Sequence, residues 1–165
     1  MKKLMAFVFI AAFSFLQNQA NAQSDTVHIY NPAENAQEGI DHAVALAKAQ
    51  NKHVLIQAGG NWCIWCLRFN KFTKNDVHID SLLKADYIIY HLNYSKENYN
   101  KQVFEKYGLA QRFGFPVFII LNGDVKWLHI QNSAYLEQGN GYSEEKVLDF
   151  LNNWTRAAID PSNYE

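Results

Sequence analysis

Only two cysteines occur among the 165 residues, Cys63 and Cys66, and two residues separate them. A secreted domain stapled by disulfides spreads its cysteines so that the bridges close long loops. A bridge across two residues closes almost nothing, so a stapled scaffold is excluded and the pair is placed for chemistry. Basic runs are absent as well. The 15 Lys and Arg are interspersed among 16 Asp and Glu, for a formal net charge of −1, which excludes a nucleic-acid footprint. No internal repeat occurs, and no apolar run long enough for a second hydrophobic segment follows the N-terminal one. The histidines His28, His42, His53, His78, His91 and His129 show no His-x₃₋₅-His spacing, and there is no second cysteine pair to complete a zinc site.

What is present begins with the pattern of an export leader. Lys2 and Lys3 give a positive start, Leu4 to Leu16 is apolar apart from Ser14, and Ala20-Asn21-Ala22 offers small residues at a cleavage site. The apolar run is shorter than the roughly 20 residues a membrane span needs; an uncleaved anchor is the alternative. No cysteine follows the site, so lipid attachment there is excluded. The expectation is a leader at 1–22 and a single domain at 23–165 starting at Gln23, periplasmic or secreted, with no stable membrane span in the mature form. Losing Lys2 and Lys3 makes that form more acidic, and its length suits one core.

Periodicity predicts a short edge strand at Val27–Tyr30, a turn at Asn31-Pro32 and a helix from Ala36 to Gln50. His53–Gln57 reads as a buried strand, ended by Gly59-Gly60-Asn61. A helix is expected from Cys63 to about Lys74, and a short one over Ile79–Lys84. Tyr87–Asn93 reads as a strand, followed by a helix ending near Tyr107 with Gly108 as C-cap. Pro116–Leu121 is a strand, Asn122-Gly123 a two-residue hairpin signal, and Val125–Ile130 its return. A loop spans 131–142, Ser143 caps a last helix carrying Glu144 and Glu145 in its first turn, and a loose tail starts at Asp160. Alternating strands and helices imply an α/β fold: three layers, α/β/α, around a sheet with parallel strands and an antiparallel edge.

The chemistry rests on Trp62-Cys63-Ile64-Trp65-Cys66, between a buried strand and a helix. A spacing of three on a helix sets both sulfurs on one face, near enough to bridge. Cys63 falls at the helix start, where unpaired N–H groups and the macrodipole favour a thiolate. Thiolate is the attacking species in disulfide exchange; Cys66, a turn deeper, is the expected resolving thiol.

Val54 to Cys66, with Trp directly before Cys-x-x-Cys, resembles the active-site segment of the thioredoxin-like superfamily. Gly114-Phe115-Pro116-Val117 is similar to its cis-proline loop, and the hairpin and final helix fit too, so the resemblance covers about 36–157. The chain also resembles exported bacterial thioredoxin-like proteins and the soluble redox domains of envelope disulfide reductases. The resemblance implies a thioredoxin-like α/β/α fold with a central mixed sheet and thiol–disulfide oxidoreductase activity through catalytic Cys63 and Cys66. It implies a cis Pro116 stacked beside the sulfurs and a Phe115 backbone that pairs with an extended substrate; an ordinary trans proline opening a strand is the alternative. Trp62, Trp65 and Phe115 would ring the sulfurs as substrate-binding surface, Trp62 partly packed and Trp65 more exposed. The implied partners are cysteine-containing exported proteins or an envelope redox partner, with no cofactor and no metal.

The sequence departs from that family at three places. Gln57 stands where thioredoxins carry a buried carboxylate; it cannot accept a proton at neutral pH and reads as a hydrogen-bonded core amide. His91 matches the lysine beside that acid and is a candidate proton relay, or else a core histidine with its hydrogen bonds satisfied. Ile64-Trp65 replaces the family's Gly-Pro. Two other functions stay open: a zinc site built on the two cysteines, and a non-catalytic binding module with an inert disulfide.

Overall fold

The computed structural model describes residues 28–165; the expected leader at 1–22, its processing point at Gln23, and Val27 lie outside them. Helix α1 (Ala36–Ala49) starts where the Asn35 side chain accepts from Gln37 N and Glu38 N, and it buries Ile40, Ala43, Val44 and Ala47. Strand β1 (His53–Gly59) is buried along its whole length, two residues further than its apolar run predicts. Helix α2 (Ile64–Asn75) follows. Helix α3 (Val77–Asp86) is capped by the Asp76 side chain, and strand β2 (Tyr87–Asn93) has the expected bounds. Helix α4 (Lys101–Lys106) and a 3₁₀ turn at Ala110–Phe113 lead to strand β3 (Val117–Leu121). Strand β4 (Trp127–Asn132) and the two-residue strands β5 (Glu137–Gln138) and β6 (Gly141–Tyr142) precede helix α5 (Glu144–Asn153). Ser143 caps α5 by accepting from Lys146 N, with Glu144 and Glu145 in the first turn.

The main sheet runs β2-β1-β3-β4. Strands β1 and β2 are parallel, with Gln57 opposite His91; β3 is antiparallel to β1, pairing Ala58 with Val117. Successive side chains of a strand point to opposite faces, and each face has its own core. Val54, Ile56, Ala58, Val117, Ile119 and Leu121 pack with α1 and α4. Leu55, Phe118 and Ile120 pack with Phe69 of α2, Leu83 of α3 and Leu151 of α5. This is a thioredoxin-like three-layer α/β/α fold around a mixed sheet. Among the described residues no helix is long and apolar enough to cross a membrane.

Four expectations are corrected. Residues 28–30 join no strand; the Asn61 side chain ties them down by accepting from Ile29 N and Tyr30 N, both at 3.0 Å. The β3–β4 connection spans five residues rather than two. The Asn122 side chain accepts from Asp124 N and Lys126 N, an Asx-type turn that Val125 completes at φ 64°. The segment read as a loop at 131–142 holds the end of β4, a 3₁₀ turn at Ser133–Leu136 and the β5–β6 pair. The tail forms a 3₁₀ turn at Pro161–Tyr164, capped by Asp160.

Candidate active site

The fold positions the cysteines by ending β1 at Gly59 and beginning α2 at Ile64, with Cys63 as N-cap. Cys63 and Cys66 are joined by a disulfide across a Cα–Cα distance of 5.3 Å. Cys66 N donates to Cys63 Sγ at 3.2 Å, so the sulfur occupies the place of a capping oxygen. Any negative charge developed on Cys63 meets an oriented N–H and the positive end of the helix. Cys66 is wholly buried and Cys63 nearly so. The antiparallel pairing of β1 with β3 brings the start of β3 beside the end of β1, and with it the preceding Phe115-Pro116. Their peptide bond is cis, Pro116 is buried, and half-buried Phe115 packs against Tyr30, Cys63 and Cys66.

The two tryptophans reverse their expected exposure. Trp62 is 61% exposed; its Nε1 donates to Tyr94 O at 2.7 Å, and its ring meets Phe115 edge-on at 5.8 Å. Trp65, in the first turn of α2, is half-buried. Its ring lies edge-on to Tyr142 at 5.8 Å, with the Arg68 guanidinium over it at 4.9 Å. The cause is the β5–β6 pair, read from sequence as loop, which brings Tyr142 against α2; the Tyr142 hydroxyl also donates to Trp65 O.

Gln57 is a core amide: its Nε2 donates to the Tyr30 hydroxyl at 2.8 Å and to Cys66 O at 3.1 Å. His91 packs edge-on against Tyr30, centroids 5.5 Å apart. Burial, reinforced by the Lys74 charge, pushes the imidazole down to about 4. Burial therefore favours the neutral ring at pH 7. Asp76, His78 and Glu144 bring three potential metal donors within 4.8 Å of one another, but neither cysteine belongs to that group.

Residues 35–123, more than half the chain, match a family model described as thioredoxin-like. The chain belongs to the thioredoxin-like family. Among solved structures it is similar to a disulphide isomerase from Xylella fastidiosa Temecula1, at 20% identity and TM-score 0.67, covering 77% of this chain and 96% of that one. It is also similar to a thioredoxin from Thermus thermophilus, at 17% identity and TM-score 0.51, covering 75% and 92%. At such identities the likeness shows the fold. No curated protein matches the sequence.

In this thioredoxin-like chain the site also contains residues that motif reading missed. Asn61 binds both sides of the Tyr30 backbone, accepting from Tyr30 N and donating to Tyr30 O at 2.8 Å. Tyr30 is thereby held against the cysteines and buried. The available signal was Asn61 itself, a side chain with donor and acceptor directly before the Trp-Cys pair. Nothing in the spacing named its partner 31 residues upstream.

Proposed function

We propose that the chain is a thiol–disulfide oxidoreductase that exchanges disulfides with exported proteins or a partner redox domain. The observation that carries this is the Cys63–Cys66 bridge at the N-terminus of α2, with Cys63 Sγ in the capping position. In the reduced form Cys63 is the nucleophile: its thiolate attacks a substrate disulfide, forming a mixed disulfide and expelling one substrate thiolate. Cys66 then attacks Cys63 Sγ, closing the intramolecular bridge and releasing the second substrate thiolate. Two electrons pass from the protein dithiol to the substrate; the reverse sequence oxidises a substrate dithiol.

Trp62 and Phe115 form the substrate-binding rim in this reading, with buried Pro116 and half-buried Trp65 as its packed support. An exposed indole beside a half-buried phenyl ring is apolar surface suited to an extended peptide. The leader pattern at 1–22 supports export to the periplasm or beyond. N-terminal sequencing should find Gln23 first, and an intact Met1 on cytosolic protein would overturn that part.

The activity is tested by insulin reduction coupled to dithiothreitol. The protein should accelerate insulin precipitation, and Cys63→Ser should abolish the acceleration. If wild type and Cys63→Ser were equally inactive, the non-catalytic binding module would be the correct reading.

A further inference from the structure

Where the family carries a buried carboxylate, the Cys66 backbone here meets the Gln57 amide, which cannot take up the Cys66 proton at neutral pH. The Tyr30 hydroxyl approaches the same end of β1 as the Cys66 sulfur. A methyl built on Gly59 would lie 2.4 Å from Cys66 Sγ and 2.9 Å from the Tyr30 oxygen, so both atoms crowd one point at the end of β1. Tyr30, Cys63 and Cys66 form one buried cluster. The Tyr30 oxygen accepts from Gln57 Nε2 at 2.8 Å, which fixes its lone pair and leaves its own proton for a second partner. The same amide donates to Cys66 O, tying the hydroxyl and the Cys66 backbone into one unit. Asn61 holds the Tyr30 backbone from both sides.

Building on the oxidoreductase reading, we propose that Tyr30 is a further residue of the exchange reaction, its hydroxyl donating a hydrogen bond to the Cys66 sulfur in the reduced and mixed-disulfide states. Burial raises the Tyr30 hydroxyl well above the usual tyrosine range, so it stays a proton donor at any working pH. A neutral donor stabilises a buried thiolate without adding a second buried charge. Of the other titratable groups, Cys63 at the N-cap of α2 and His91 on β2 pack against this unit; Tyr142 on β6 acts on Tyr30 through its charge, Lys74 of α2 on His91 and Arg68 of α2 on Tyr142. In the resolving step the Cys66 proton passes to water and the Tyr30 hydrogen bond holds the resulting thiolate. That thiolate attacks Cys63 Sγ, the Cys63–Cys66 bond forms, and the bond from Cys63 to the substrate sulfur breaks, with the substrate leaving as thiolate.

The test uses the reduced full domain and 5,5′-dithiobis(2-nitrobenzoate), which releases one thionitrobenzoate when Cys63 attacks and a second when Cys66 resolves. Tyr30→Phe should slow the second phase relative to the first about tenfold at pH 7, the size expected for a hydrogen bond to a charged group. It should also move the pH midpoint of that phase up by about one unit. Gln57→Leu, which removes the donor that orients the hydroxyl, should shift both quantities the same way by less, and it serves if Tyr30→Phe fails to fold. An unchanged second phase and pH midpoint in whichever variants fold would overturn the proposal. Wild type that released no second thionitrobenzoate would instead overturn the oxidoreductase reading on which it rests.

Discussion

Gly59 and Cys66 meet so closely that a single methyl on Gly59 would stand 2.4 Å from the Cys66 sulfur. The approach matters because the last residue of β1 forms the wall against which the buried half of the disulfide rests. Gly59→Ala should destabilise the oxidised protein by about 1–3 kcal/mol through overpacking, read from urea denaturation. In a Cys66→Ala background the methyl meets no sulfur, so the double variant should lose less than the sum of the two singles. Strict additivity would show that the contact does not limit packing there.

Trp62 presents most of its surface to solvent while its Nε1 is bound to Tyr94 O. A tethered, exposed indole is a preorganised contact for a polypeptide. Trp62→Ala should raise KM for insulin roughly tenfold, about 1.4 kcal/mol, and lower kcat much less. A pure kcat effect would place Trp62 in the chemistry of the sulfurs rather than in binding.

His53 and His91 make stability depend on pH. Burial lowers both imidazoles, His91 to about 4 and His53 also below its ordinary value; His53 Nδ1 lies 2.9 Å from Trp154 O and donates to it as the neutral ring. Unfolded histidines bind protons near 6.5, so between about 6.5 and 4 the unfolded chain holds more protons than the folded one. The stability from keeping these rings neutral is complete above 6.5 and is lost as pH falls toward 4, with His91 contributing up to about 3 kcal/mol. Urea midpoints at pH 7.5 and 4.5 should diverge in wild type and diverge less in His91→Asn. An unchanged pH dependence in that variant would contradict the burial assignment.

Gln57→Glu replaces the amide that donates to Tyr30 and to Cys66 O with a group that can donate only when protonated. In this buried strand its folded pKa should rise above the unfolded value of about 4.3. The variant should therefore be least perturbed at low pH and lose a few kcal/mol as pH rises through the raised pKa. Denaturation at pH 4 and pH 8 checks this, and a variant more stable at pH 8 than wild type would contradict it.

The strands and helices that flank the cysteines were legible because each carries its own period: β2 has the bounds read from Tyr87–Asn93, and α2 ends within a residue of Lys74. What failed to read depends on side-chain hydrogen bonds between distant residues or inside loops. Asn122-Gly123 signals a tight hairpin, yet the Asn122 side chain captures Asp124 N and Lys126 N and lengthens the turn. The exposures of Trp62 and Trp65 were reversed because Tyr142, far along the chain, is what covers Trp65. Tyr30 reads locally as the end of a strand, and only the tertiary contact with Asn61 and Gln57 brings it to the sulfurs.

The central claim, that Cys63 attacks and Cys66 resolves, is tested most directly by mass spectrometry of reduced Cys66→Ser after incubation with oxidised insulin at pH 7. The variant should accumulate a covalent insulin-chain adduct carried on Cys63 and released by dithiothreitol. A native variant that formed no adduct, while its urea-unfolded form did, would contradict the account and leave the bridge between Cys63 and Cys66 inert.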